Sequence, residues 1–166
     1  LDWFLYNLKL ESDLNKNTSL SINFFGLNAK RKSLGFRSNR VDQIDPLEER
    51  DLIYGDFNNF GVESKLLTKY KILNKNSIFL LGSKYYNSKN NGEQGPGIDN
   101  SDPNFNFQYD LFPNYRYQSL FNYPNLNFSF FGENIFYLNN KFSITPGFRF
   151  ENIKTESDGY YKNINL

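Results

Sequence analysis

From residue 119 to residue 156, apolar and polar side chains alternate with a period of two on both sides of a short Asn-Asn-Lys break. In "PNLNFSFFGENIFYLNNKFSITPGFRFENIKTE", Leu126, Phe128, Phe130, Phe136 and Leu138 fall on one side of a strand. Phe142, Ile144, Phe148 and Phe150 continue that side on the next strand, and Asn125, Asn127, Ser129, Glu133, Ser143, Thr145, Arg149 and Glu151 occupy the other. This is the pattern of extended strands with two unlike faces. Register follows from it, because a slip of one residue turns every side chain to the wrong face. A three-residue turn at Asn139-Asn140-Lys141 pairs Leu138 with Phe142, Phe136 with Ile144 and Phe130 with Phe150. It places Phe131 opposite Arg149 and Glu133 diagonal to it, so an ion pair is within reach. Pro146 opposes a continuous strand, since it removes a ladder hydrogen bond.

The rest of the chain repeats the rhythm less cleanly. Strands are expected near 2–12, 18–30, 57–72, 77–88, 119–138 and 141–156. Short turns, "DLNKN", "LNKN" and "NNK", alternate with long connections that run to about residue 55 and about residue 117. Leu20, Ile22 and Phe24 alternate with Ser19, Ser21 and Asn23. Val62, Leu66, Tyr70 and Ile72 alternate with Glu63, Lys65 and Lys69, with Leu67 an exception. Aromatic residues gather at strand ends, at Tyr54, Phe57 and Phe60, at Tyr115, Tyr117, Phe121 and Tyr123, and at Tyr70, Phe136, Tyr137 and Phe142.

Composition decides which architectures suit this pattern. Aromatics make up 19% of the chain, yet mean hydropathy is −0.65. Aromatic girdles with a polar lumen and polar loops reconcile those figures in a transmembrane β-barrel. No apolar run approaches the roughly 18 residues of a membrane helix. A water-soluble β-sandwich or lipocalin-like barrel, greasy inside and polar outside, satisfies the same alternation. Strand length, girdles and unequal connections favour the expectation of an all-β, antiparallel up-and-down transmembrane β-barrel segment of about six strands. Such a segment leaves two open edges and is expected to aggregate alone. The chain has no methionine and its first residues, "LDWFLYNLKL", already read as the inside of a strand, so it is expected to be part of a longer one.

Other classes are narrowed by what is missing. The chain has no histidine and no cysteine, which removes Ser-His-Asp triads, thiol catalysis and the usual zinc sites. A net charge of +1 gives no whole-chain argument for nucleic acid. Gly92, Gly95 and Gly97 lack phosphate-loop spacing, and Asp99, Asn100 and Asp102 do not match a calcium loop. Glu133 and Glu151 with Arg149 near both read as ionised lumenal-wall carboxylates rather than a catalytic pair. No catalytic residue, metal site or cofactor is expected, and the chain is not read as an enzyme.

"KRKSLGFRSNRV", "RDLIYGDFNNFGVESKLLTKY", "FLLGSKYYNSKNNGEQGPG" and "PNLNFSFFGENIFYLNNKFSITPGFRFENIKTES" span nearly the whole chain. Together they resemble the barrel of TonB-dependent outer-membrane receptors, in particular the ferric-citrate (dicitrate) branch. The most specific part is Phe131, Glu133 and Asn134 followed by Ser143, Thr145, Pro146, Gly147, Arg149 and Glu151. The resemblance implies a large barrel in the outer membrane of a Gram-negative bacterium, filled by its own N-terminal plug, with Glu133, Arg149 and Glu151 as lumenal wall or plug contacts. It implies import of an iron chelate with energy relayed by TonB, the iron being cargo and not a cofactor. The plug, the TonB-binding segment and the closing strands are not in this sequence.

Two loop clusters are the candidate ligand contacts. Arg31, Arg37 and Arg40 belong to a basic run that suits an anionic chelate, since the guanidinium fork binds carboxylates in a bidentate way. The same run fits a solvated loop balanced by Asp42, Asp45, Glu48, Glu49 and Asp51, or cations facing lipopolysaccharide. In the second loop Tyr109, Tyr115, Arg116 and Tyr117 are candidates by the family's habit of closing loops over the ligand. The competing functions are a passive porin or other barrel transporter, an outer-membrane enzyme, and a soluble carbohydrate-binding β-protein.

Overall fold

The computed structural model describes residues 1–36, 38 and 40–162. Among them there is no helix, and eight strands make one antiparallel sheet: β1 (Asp2–Asn15), β2 (Thr18–Gly35), β3 (Asp51–Ile72), β4 (Lys75–Pro96), β5 (Ser119–Asn139), β6 (Phe142–Ile144), β7 (Gly147–Thr155) and β8 (Asp158–Tyr161). Strands β1 to β5 pair in chain order, and β6, β7 and β8 pair one after another along the far side of β5. The architecture is therefore an up-and-down meander whose last position is one interrupted run. The sheet is not closed: among the described residues, β1 and the β6–β8 run each pair on one side only.

The expected register holds through the body of the last hairpin, with Phe136 opposite Ile144, Phe130 opposite Phe150 and Phe131 opposite Arg149. The turn itself differs. Asn139 pairs with Phe142, so Leu138 is a bulge and the loop has two residues, not three. Lys141 N–H donates to Asn139 Oδ1 at 2.8 Å, a side-chain turn that fixes the chain reversal. The first turn uses the same device, with a shift between Asp13 and Asn15 and Asn17 N–H donating to Asn15 Oδ1 at 2.9 Å. In both, one bulged leucine lets a tight turn coexist with the register that the faces require. Pro146 splits β6 from β7, and its carbonyl still accepts from Asn134 N–H at 2.9 Å, so the register survives the break.

The β3–β4 turn takes a different solution. Ile72 pairs with Lys75, and Leu73 and Asn74 both have positive φ, 48° and 59°. This is the two-residue hairpin geometry that matches strand twist, and leucine fits it poorly. A branched L-residue in the left-handed region costs about 1–2 kcal/mol. Leu73 is 91% exposed and gains no packing in return. Leu73→Asn is expected to raise stability by about 1 kcal/mol, read as a higher urea midpoint with an unchanged slope; a lower midpoint would refute the assignment.

The first four strands are longer than the sequence suggests, β1 and β2 ending at Asn15 and Gly35 rather than near 12 and 30. β3 begins at Asp51, not near 57, and β4 runs on to Pro96, not 88. The Gly-Glu-Gln-Gly-Pro stretch reads as a turn, yet Gly92 to Pro96 pair in register with Gly55 to Asp51. Side chains from the following connection hold it there: Tyr109 Oη donates to Glu93 at 2.8 Å, and Gln94 donates to Tyr115 Oη at 3.1 Å.

The sheet has two unlike faces. Leu8, Phe24, Val62, Tyr85 and Phe128 form one row of the apolar face, and Leu10, Ile22, Phe130 and Phe150 belong to the next. That face carries no charge from Phe4 to Leu14 on β1, Thr18 to Asn28 on β2, Ser77 to Asn87 on β4, and Phe142 to Asn152 across β6 and β7. The polar face carries Lys9, Glu63, Lys84 and Glu151 in a single row. Few apolar side chains are enclosed: among the described residues only Ala29, Leu52 and Tyr115 are buried hydrophobics, while Phe128 is 45% exposed and Phe150 60%.

Candidate functional site

The polar face is built from residues that neutralise one another along each strand. Lys9 pairs with Glu11 at 2.6 Å, Lys65 with Glu63 at 2.5 Å, and Arg149 with Glu151 at 3.0 Å. Each pair is two residues apart, hence on the same side of one strand. Glu151 also accepts from Asn127 at 3.1 Å. Arg149 therefore engages Glu151 and not Glu133, contrary to the diagonal pair that the sequence places within reach. Glu133 lies opposite Gly147, and the Phe131 ring sits 5.8 Å from the Arg149 guanidinium carbon. That cation–ring contact helps hold the side chain toward its own strand neighbour. Six side-chain atoms on this face are enclosed without a hydrogen-bond partner: Oδ1 of Asn23, Asn59, Asn90, Asn125 and Asn127, and Oγ of Ser129. All are able to accept hydrogen bonds, so the face suits water or a polar surface carrying donors.

The apolar face treats its polar atoms differently. Ser64 Oγ and Ser83 Oγ are 2.9 Å apart, Tyr70 Oη donates to Asn134 Oδ1 at 2.9 Å, and Thr68 Oγ1 donates to Thr18 Oγ1 at 3.4 Å. These three bonds join strands across the apolar face, while Ser77 Oγ and Asn134 Nδ2 on the same face are enclosed without a partner.

The two long connections meet at the far end of β3 and β4. Arg50, with its side chain 6% exposed, forms a two-pronged ion pair with Asp45 and stacks 5.2 Å from the Phe36 ring. Its Nε donates to the Asn100 carbonyl at 3.4 Å, its backbone N–H to the Ile98 carbonyl at 3.2 Å, and Gly97 N–H donates to the Arg50 carbonyl at 2.7 Å. Arg50 thus ties the first connection to the second. Arg50's hydrogen bonds, with one from Leu47 N–H, hold the Asp45 carboxyl below its ordinary range. Sequence reasoning missed Arg50 because it sits in the acidic run "DPLEERD", which reads as a balance for the upstream arginines.

A second tie joins the connection to β3 and β4. Tyr115, 4% exposed, donates to Asp51 and accepts from Gln94. Tyr109 instead donates to Glu93, on the other side of β4, and stacks on Phe107 at 5.3 Å. Burial, then the bond to Glu93, pushes the Tyr109 hydroxyl's pKa well above its usual value, so it stays protonated at neutral pH.

The sequence candidates are therefore divided among different places. Tyr115, Arg116 and Tyr117 line a cavity of about 590 Å³ together with Phe36, Pro46, Glu48, Glu49 and Asp51. Arg31, Arg40 and Tyr109 do not line it. Arg31 lies on β2 opposite Gly55, and Arg40 lies in the first connection, where its carbonyl accepts from Gln43 N–H at 3.3 Å. Arg37 lies outside the described residues. No group of three or more metal-ligating side chains occurs among the described residues. No family model matches the chain, and no curated protein matches it.

Arg50→Gln is expected to speed amide hydrogen exchange at Gly97 and Ile98 as well as around Asp45, although these segments are far apart in sequence. Protection confined to one segment would show that Arg50 does not join them. Acid is expected to act in the same direction. Because Asp45 is depressed in the folded state, its contribution is complete above the ordinary carboxylate value of about 3.9. It is lost as pH falls through the lowered folded value.

Proposed function

We propose that this chain is part of the wall of an outer-membrane β-barrel that imports an iron chelate with energy supplied through TonB. The observation that carries the reading is the charge-free window on one face of the sheet. Its length on β1, β2, β4 and β6–β7 matches the roughly 9–11 residues with which a tilted strand crosses the hydrocarbon layer. Along those stretches of strand charge is confined to the other face, and three hydrogen bonds on the apolar face join polar side chains across strands. On this reading the apolar face meets lipid, the polar face meets a wet lumen and a plug, and the short turns and long connections lie on opposite sides of the membrane. Both sheet edges are completed by further strands of the same barrel. Chelate specificity and TonB coupling rest on the resemblance of the motif around Phe131 to Glu151.

The absence of cysteine makes the test clean. Single cysteines are placed at consecutive positions from Asn7 to Leu10 and from Asn125 to Phe130 of this segment, within the complete barrel reconstituted in vesicles. Water-soluble maleimide is expected to label odd positions, while brominated lipid quenches a fluorophore at even ones. Uniform labelling would refute the membrane reading. Uptake of radio-iron as ferric citrate, in cells with and without TonB, then tests the cargo. Uptake that persists without TonB would move the function to a passive channel.

A further inference from the structure

The three short turns have a charge pattern unlike the rest of the molecule. Residues 14–20, 66–78 and 134–146 contain no aspartate or glutamate. They contain Lys16, Lys69, Lys71, Lys75 and Lys141, all exposed, and none has a carboxylate within ion-pair distance among the described residues. The opposite end mixes both signs. Lys30 stands between Asp2 and Asp56 in one row, and Lys154 pairs with Glu156 at 2.9 Å. Beyond the row of Asp13 and Glu133, the turn end carries cations alone.

These lysines are interleaved with apolar side chains that water alone does not explain. Leu14 is 55% exposed, Leu73 91%, Leu138 48% and Phe142 57%, and each stands within two or three residues of Lys16, Lys75 or Lys141. Lys75 lies on the apolar face one step beyond Ser77, where the charge-free window ends. Apolar body and cationic tip at the rim of an apolar belt are what a lipid–water boundary selects.

We propose that the turn end is a docking collar for anionic phospholipid headgroups, in which Lys16, Lys75 and Lys141 hold phosphodiesters while Leu14, Leu138 and Phe142 enter the acyl boundary. The proposal rests on the reading that the apolar face meets lipid, and it adds a headgroup chemistry and a side. The collar fixes the height of the sheet in the bilayer and biases the leaflet in which the turns come to rest. Lys69 and Lys71, on the polar face, add to the local potential without reaching the lipid. An acidic protein segment is the competing occupant. The continuity of the lysines with the apolar window favours lipid.

The test uses the complete barrel that contains this segment, in nanodiscs of phosphatidylcholine mixed with phosphatidylglycerol, with retained lipids counted by native mass spectrometry. The protein is expected to retain phosphatidylglycerol preferentially, by about five-fold per lysine at low salt, and high salt compresses the preference. K16Q/K75Q/K141Q is expected to insert normally, by circular dichroism, and to lose most of the preference. Equal retention of both lipids by the unaltered protein would overturn the collar. So would a preference that survives the triple substitution, or polyglutamate binding without headgroup preference. Failure of the complete barrel to insert into either bilayer is a different result: it would sink the membrane reading and the collar with it.

Discussion

Leu8→Arg is expected to destabilise the reconstituted protein by about 2–4 kcal/mol, while Asn7→Arg changes it by about 0.5 kcal/mol or less. The two positions are neighbours on β1, and both side chains are exposed. Leu8 is 58% exposed and lies near the middle of the uncharged Phe4–Leu14 window, in the row with Phe24, Val62 and Tyr85. A guanidinium there has no aqueous route except by snorkelling along the strand. Asn7 lies on the face that already carries Lys9 and Glu11, where another cation is hydrated. Neither site is enclosed, so over-packing does not confuse the comparison. Urea unfolding in vesicles measures the difference. Equal effects at the two positions would mean that both faces meet water, and the membrane assignment would fall.

The same alternation explains why the fold was largely legible in the sequence. Period-two patterning carries information about face and register, and it placed Phe130 opposite Phe150 and Phe131 opposite Arg149 correctly. It carries none about an extra residue in a turn. Leu138 bulges because its neighbour Asn139 caps the chain reversal, a local hydrogen bond that hydrophobic spacing does not encode. The turn-forming residues from Gly92 to Pro96 predict a loop. They extend β4 because Tyr109 and Tyr115, from a distant segment, bond to Glu93 and Gln94.

The candidate site was less legible for a related reason. Arginines were chosen by charge, whereas the structure uses Arg50 through its position between two connections. Tyr109 and Tyr115 are close in sequence but serve opposite sides of β4, which follows only from the strand parity of Glu93 and Gln94. Glu133 and Glu151 are both polar-face residues, yet only Glu151 lies on the same strand as Arg149, at the spacing where two long side chains meet at little conformational cost.

The polar face also holds a packing arrangement whose disruption should be large. Phe131 lies across Gly82 on the neighbouring strand, as Phe25 lies across Gly61. A Cβ on Gly82 would stand 2.6 Å from Phe131 Cε2, and one on Gly61 would stand 2.7 Å from Phe25 Cε2. The missing side chain lets an aromatic ring cover a bare strand, an exchange of glycine's backbone weakness for ring contact. The ring beside Gly82 also supports Arg149, and the ring over Gly61 stacks with Tyr86 at 6.4 Å and lies 5.5 Å from Lys84 Nζ. Gly82→Val is expected to expel Phe131 from this position and cost about 1–3 kcal/mol. Strand propensity alone predicts the opposite sign, because valine is a better strand residue than glycine. Phe131→Leu in the same chain should recover part of the loss, giving a coupling energy of about 1 kcal/mol between positions 82 and 131. Additive effects would show that ring and glycine do not constrain each other. A stabilised Gly82→Val would show that intrinsic strand preference outweighs the ring contact on this face.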